Sequence, residues 1–249
     1  MIVLMRITVL GSCGAWPTAG RACSGFLVEH DGFRLLVDMG YATLPRLLSH
    51  LEADQVDAVW ISHGHPDHCA DLNPLLRARA LAEEPPSPLP VYAPPGALDA
   101  VLALDRPGML VEAYDLREVD PGERYAIGPF DIDTRLLPHW VPNAGIRLTA
   151  DGKSLVYTGD AGPSPELAAL AQGAELLVAE ATYVDEVPGH SAGLLSSARD
   201  AGREATRAGV GRLVLTHLWP GTDPSQALSA AAEFAGPVEV AVEGLTIEL

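Results

Sequence analysis

Six consecutive residues, His63-Gly64-His65-Pro66-Asp67-His68, gather three imidazoles and a carboxylate. Imidazole nitrogen and carboxylate oxygen are the donors that suit divalent zinc, manganese or iron, and a shared carboxylate can hold two such ions about 3.5–4 Å apart. His63 and His65 alternate along the chain and can point the same way. Pro66 then bends the backbone and sends Asp67 and His68 toward a second position. One short loop can thus serve two cations.

Further donors have to come from elsewhere, and three stand in the same local setting. His139 follows the run 131–138, Asp160 the run 155–159 and His217 the run 213–216, each a strand-like stretch. Five of the eight histidines then fall at loop edges after such stretches, which a scatter of core or surface histidines does not produce. His30, at a turn, and His50, off a helical stripe, read as exposed residues without a ligand role. Cys13, Cys23 and Cys69 lie at no metal-finger spacing, and their odd number suits a reducing cytoplasm better than a disulfide framework. Cys69, beside His68, reads as a small buried hydrophobe.

The elements that must position these side chains are legible as alternating strands and helices. The opening MIVLMRITVL reads as a first strand, with its regular part at 7–10. Residues 25–30 and 33–38 form a hairpin about Asp31-Gly32. Leu44, Leu47, Leu48 and Leu51 mark an amphipathic helix. The run 57–62 is a strand that delivers the histidine motif onto the loop at its C-terminal end. Proline-rich residues 84–95 are expected to make an irregular surface excursion around a strand at 89–92, placed where it can lie over the mouth of the site. Strands at 130–137, 175–180 and 212–216, a hairpin at Asp151-Gly152, and helices at 165–172, 198–208 and 225–234 complete the pattern. Two sheets packed face to face and flanked by helices, in one domain over residues 1–249, is the simplest architecture.

The chain has 33 acidic against 16 basic residues, a formal charge of −17. Such a surface repels long nucleic acid, because tracking phosphates needs clustered Lys or Arg. The opening segment is too short for a membrane span and lacks a cleavage site, so no membrane partner and a cytoplasmic location are expected. A homo-oligomer is compatible with this composition. Arg21, in a glycine-rich stretch, is the best candidate for a cation facing a phosphate, and Trp16 and Trp140 are candidates for a pocket that takes a planar group.

These segments together resemble the metallo-β-lactamase superfamily, specifically its ribonuclease Z-like and cyclic-phosphodiesterase-like branch. The resemblance covers nearly the whole chain. It is carried by Ser62 and the motif after it, by PHWVPNAGIR at 138–147, by Thr158-Gly159-Asp160 and by RLVLTH at 212–217. It implies an αββα sandwich of the α/β class. It assigns His63, His65 and His139 to a first divalent ion, Asp67, His68 and His217 to a second, and Asp160 to the bridge between them, with zinc as the leading metal and manganese or iron also suited.

Departures from the pattern narrow the activity. Exported β-lactamases carry a leader and commonly a cysteine at the second metal, glyoxalase-type thioesterases append a helical domain, and flavodiiron proteins add a flavin domain. The expected reaction is hydrolysis of a small phosphodiester such as a cyclic nucleotide, since little chain is left between Asp160 and His217 for a tRNA-binding arm. Lactone or thioester hydrolysis on the same fold and metal binding without turnover are the alternatives. Asp67 is expected to orient the attacking water or accept its proton. The family's proton donor is a histidine before the helix at 198–208. Ungapped matching puts Leu195 in that place, whereas Gly189-His190-Ser191 is similar to its local sequence and makes His190 the candidate acid.

Overall fold

Alternation along each strand decides which layer a side chain enters. In the computed structural model, which describes residues 4–249, Leu35 and Val37 point into one apolar layer while Leu36, between them, points into another. Leu155 and Tyr157 share the first of these layers, and Val156 lies on the opposite face of its strand. Both faces of these strands are therefore buried, which is why their sequences run almost continuously apolar.

The first half of the chain supplies β1 (Arg6–Gly11), β2 (Gly25–His30), β3 (Phe33–Met39), β4 (Ala58–Trp60), β5 (Leu89–Ala93) and β6 (Tyr114–Glu118), side by side in that order. The second supplies β7 (Arg124–Ile127), β8 (Phe130–Leu137), β9 (Asn143–Ala150), β10 (Lys153–Tyr157), β11 (Leu176–Glu180), β12 (Arg212–Thr216) and β13 (Val238–Val240), again in sequence order. β14 (Thr246–Glu248) returns to pair with β1. Helices α1 (Thr43–Leu47), α2 (Pro66–Cys69), α3 (Leu72–Ala80) and α4 (Asp99–Leu102) cover the outer face of the first sheet. Helices α5 (Pro165–Ala171), α6 (Ala198–Ala208) and α7 (Pro224–Ala230) cover that of the second. The layers are helix, sheet, sheet, helix, the αββα sandwich expected from the sequence.

Strand direction gathers the loops that carry the candidate donors. β8 and β10 both run antiparallel to β9, and β12 runs parallel to β10 through β11, so all three strands leave the second sheet at the same edge. His139, Asp160 and His217 follow them there.

Several details differ from the sequence reading. The helix expected through Leu51 stops at Leu47, its C-cap is Leu48, and the Leu48 side chain is exposed. Apolar spacing overshot because Leu51 is buried from the turn that follows, not from a further helical turn. His30 is buried rather than exposed: its ring lies beside Phe130 of the other sheet, and Asp151 in that sheet's hairpin turn comes to 3.2 Å from its Nε2. His50 is exposed, as expected. The stretch 84–95 is irregular on either side of a strand, as expected, but that strand, β5, is interior, between β4 and β6, rather than part of a surface excursion. The opening segment enters β1 at Arg6, and its residues 1–3 lie outside the described residues. Among the described residues no helix is long and apolar enough to cross a membrane.

Candidate metal centre

The first sheet presents its donors through one loop. Ile61 N–H continues the sheet by donating to the Tyr92 carbonyl at 2.8 Å, and His65 is the extended residue before α2, whose first position is Pro66. The helical turn that Pro66 begins carries Asp67 and His68 away from the direction of His63 and His65, as the bend at Pro66 led one to expect. The second sheet answers with His139, Asp160 and His217. Gly159 precedes Asp160 at φ 57°, where a Cβ would lie 2.2 Å from Asn143 Oδ1, so glycine is required for the chain to turn there. Asn143 Nδ2 donates to the carbonyls of Thr158 (2.9 Å) and Asp160 (2.6 Å) and fixes that turn. His217 itself sits at φ 57°, a conformation costly for a residue with a side chain and typical of functional sites.

The structure brings all seven candidate donors into two adjoining groups. His63, His65, His139 and Asp160 form one, and Asp67, His68, Asp160 and His217 the other, with one donor atom from each residue within 4.8 Å of the rest of its group. In the first, His65 Nδ1 lies 3.2 Å from His63 Nε2 and 3.0 Å from His139 Nε2. In the second, His217 Nε2 lies 3.2 Å from Asp67 Oδ2, and His68 Nε2 lies 3.2 Å from Asp160 Oδ1. Asp160 Oδ2 faces His63 and His139 at 3.9 Å and His217 at 3.4 Å, so this one carboxylate belongs to both groups.

The outward side of the rings tests whether these residues fit cations. His68 Nδ1 lies 2.7 Å from Asp38 Oδ2, His139 Nδ1 3.1 Å from the Leu194 carbonyl, His63 Nδ1 3.0 Å from Ser62 Oγ and His217 Nδ1 3.0 Å from Thr182 Oγ. A carbonyl can only accept, so His139 donates through Nδ1 and its neutral ring turns the lone pair on Nε2 inward. His68 Nε2 and Asp160 Oδ1 are buried without a hydrogen-bond partner. Convergent lone pairs with engaged outer nitrogens and orphaned inner atoms are what a divalent ion satisfies. The residues fit two such ions.

Charge in the cluster is balanced by protons when no cation is there. Burial, then the neighbouring rings, holds His63 well below the ordinary histidine value, and burial likewise lowers His65 and His139. Burial opposes charging His68 and His217 too, yet Asp160 and Asp67, joined at His68 by Asp38, outweigh it and raise both. Cation binding at the second group must therefore release protons and weaken as pH falls.

Two acids that support the cluster were not singled out in the sequence. Asp38, at the end of β3, is fully buried and accepts from Ser62 N–H, Ser62 Oγ and Tyr157 Oη as well as facing His68, each at 2.7 Å. Glu180, at the end of β11, accepts from the N–H groups of Ala161 (3.1 Å), Ser196 (2.9 Å) and Thr182 (3.0 Å) and from Thr182 Oγ (2.7 Å). Burial, then Asp160, pushes the Glu180 carboxyl up to about 7. The only sequence signal for either was an acid closing an apolar strand.

A cleft of about 440 Å³ opens onto the donors, lined among others by His65, Asp67, His139, His217, His190 and Leu195. His190 is exposed at its mouth, whereas Leu195 is buried. None of residues 84–95 lines it. Pro94 and Pro95 instead border a separate cleft with Gly64 and Pro142, so the excursion does not cover the donors. Arg21 is not free to meet a phosphate: its Nε lies 3.4 Å from Glu243, and it donates to Ser12 Oγ at 2.9 Å. Trp140 lines the cleft and Trp16 stands beside it, both exposed rather than in the core. Cys69 is buried, and burial pushes its thiol up to about 12, as befits a packing residue.

The chain is similar to known proteins over most of its length. Residues 32–218 match the Beta-lactamase superfamily domain. The chain is 32% identical to the probable metallo-hydrolase YhfI of Bacillus subtilis, over 98% of this chain and all of that one. The crystal structure of YhfI superposes with a TM-score of 0.90 at 31% identity, covering 100% of both chains. The chain is also 30% identical to a ribonuclease Z of Myxococcus xanthus, over 99% of this chain and 98% of that one. That alignment runs over 302 positions against a chain of 249 residues, so the ribonuclease has segments with no counterpart here.

Proposed function

Because the chain belongs to the metallo-β-lactamase superfamily, we propose that it is a dinuclear metal-dependent hydrolase of small phosphodiesters, cyclic nucleotides among them. The observation that carries this reading is the pair of donor groups sharing Asp160. Two divalent ions there, zinc in the first instance, would lower the pKa of a water and neutralise charge on the oxygens of an in-line displacement. Elemental analysis of gently purified protein should return two divalent ions per chain, and a ratio near one that added metal does not raise would count against it.

The chain's own residues do the rest. Ala15 N–H donates to Asp67 Oδ2 at 2.9 Å, and His217 Nε2 faces the same oxygen, so Asp67 is held where it can orient the attacking water and take its proton. Gly14 lets the Ala15 segment approach this closely, since a Cβ there would lie 2.8 Å from the His217 carbonyl. His190, exposed at the mouth of the cleft, is the residue to which we assign protonation of the leaving oxygen. His190→Gln should lower turnover of a poor-leaving-group diester by about 10²–10⁴-fold while leaving p-nitrophenyl esters, which need little protonation, nearly unaffected. Equal small effects on both would make His190 a bystander.

The ribonuclease relative favours a second reading, hydrolysis of an RNA phosphodiester. Against it stand the charge of −17 and the missing segments. A panel of cyclic nucleotides, bis(p-nitrophenyl) phosphate, a 3′-extended tRNA, an acyl-homoserine lactone and a thioester, run with zinc- and manganese-loaded protein, separates the cases. Turnover of the small diesters alone supports the proposal. Preference for the RNA, lactone or thioester replaces it, and no turnover at all leaves a metal-binding role.

A further inference from the structure

The cleft beside the donors is walled by rings and carries no fixed positive charge. None of the described residues lining it is Lys or Arg. Trp219 lies nearly parallel to Tyr183, with an interplanar angle of 12° and centroids 6.4 Å apart, and Trp16 meets Trp219 edge-on at 5.0 Å. Trp140 packs edge-on against His139 at 5.1 Å. Trp16, Trp219 and Trp140 are nonetheless 46%, 42% and 51% exposed. Large rings clustered at a cleft mouth and left open to water mark a surface that something covers.

The position of Trp219 is fixed relative to the donors. It follows the donor His217 by two residues, and its N–H donates to the carbonyl of Thr182, whose Oγ reaches His217 Nδ1 at 3.0 Å. Leu218, between them, accepts from Gly14 N–H at 3.0 Å. A ring that stacks on Trp219 is thereby registered to the reacting bond. We propose that Trp219, braced by Trp16 and Tyr183, seats a planar uncharged ring of the substrate, a nucleobase, and that this contact rather than a charge selects which diester the site takes. The proposal rests on the phosphodiesterase reading above. Base–aromatic stacking carries no demand for a cation and tolerates any base, in keeping with the lining.

The test compares adenosine 3′,5′-cyclic phosphate with methyl riboside 3′,5′-cyclic phosphate, the same diester without the base. The native protein should prefer the base-bearing substrate by about tenfold to a hundredfold in kcat/KM, carried mainly by KM. Trp219→Ala should collapse that ratio toward one, and Trp219→Phe, which keeps a ring, should restore most of it. Absence of a preference in the native protein, or an equal loss on both substrates in Trp219→Ala, overturns the proposal. Calorimetric titration of adenosine, which has no phosphate, into the metal-loaded protein separates the two readings. Adenosine binding weakened at least about tenfold by Trp219→Ala, and kept by Trp219→Phe, supports the ring site even if neither diester is turned over. No adenosine binding by the native protein overturns it.

Discussion

Asp160→Ala should empty both halves of the proposed metal centre at once. Its Oδ1 faces His68 and its Oδ2 faces His63, His139 and His217, so no other side chain in the cluster belongs to both groups. Metal content should fall from about two ions to well below one. Hydrolysis should drop by at least about a thousandfold, since the charge stabilisation lost is worth several kcal/mol. His217→Ala is the comparison, because that ring stands in the second group alone and its loss should spare an ion in the first. The readout is elemental analysis of both variants beside the native protein. Retention of one tightly held ion by Asp160→Ala would contradict the shared carboxylate.

Asp38→Ala should damage the fold more than most single changes, although Asp38 touches no candidate ion. The carboxylate is buried and meets Ser62 N–H, Ser62 Oγ, Tyr157 Oη and His68 Nδ1. Removing it strands those donors in the core, and breaking a buried charged network costs about 3–5 kcal/mol. For a chain of this size that is a fall in melting temperature of roughly 10 °C. Metal affinity should drop about 10–100-fold as well, because His68 loses the partner that holds its ring. Tyr157→Phe removes only one of the donors and should cost about 1 kcal/mol. Melting curves with and without metal check both, and similar losses for the two variants would show that Asp38 does not organise the network.

What the sequence disclosed follows from where the information lies. The donors were legible because histidine is scarce and strand ends are recognisable, so HGHPDH, His139, Asp160 and His217 stood out by type and setting. The layers were legible because strands buried on both faces must be apolar throughout. Asp38 and Glu180 were not, since an acid closing an apolar run looks like an ordinary terminator until Ser62, Tyr157 or Ser196 is known to face it. His30 and Arg21 failed for the same reason: Asp151 and Glu243, their partners, come from distant parts of the chain. Helix α1 was overextended because apolar spacing does not mark where a helix ends: Leu51 is buried from beyond the helix, and Leu48 is exposed. Trp219 was overlooked because it follows the last donor, where nothing in the local pattern announces an open ring.

The donors divide between the two sheets, His63, His65, Asp67 and His68 entering from the loop after β4 and His139, Asp160 and His217 from the edge of the second sheet. An ion held among them would therefore be a further tether between halves of the chain that also meet through an apolar layer and a few hydrogen bonds, such as that from Tyr157 Oη to Asp38. Unfolding has to break that tether, so the transition temperature climbs with the logarithm of free metal concentration, by about 2.7 kcal/mol of added stability at a hundredfold excess over Kd. Heat resistance thus becomes a gauge of metal supply, one that needs no substrate and would respond in a cell whose metal stores had run low.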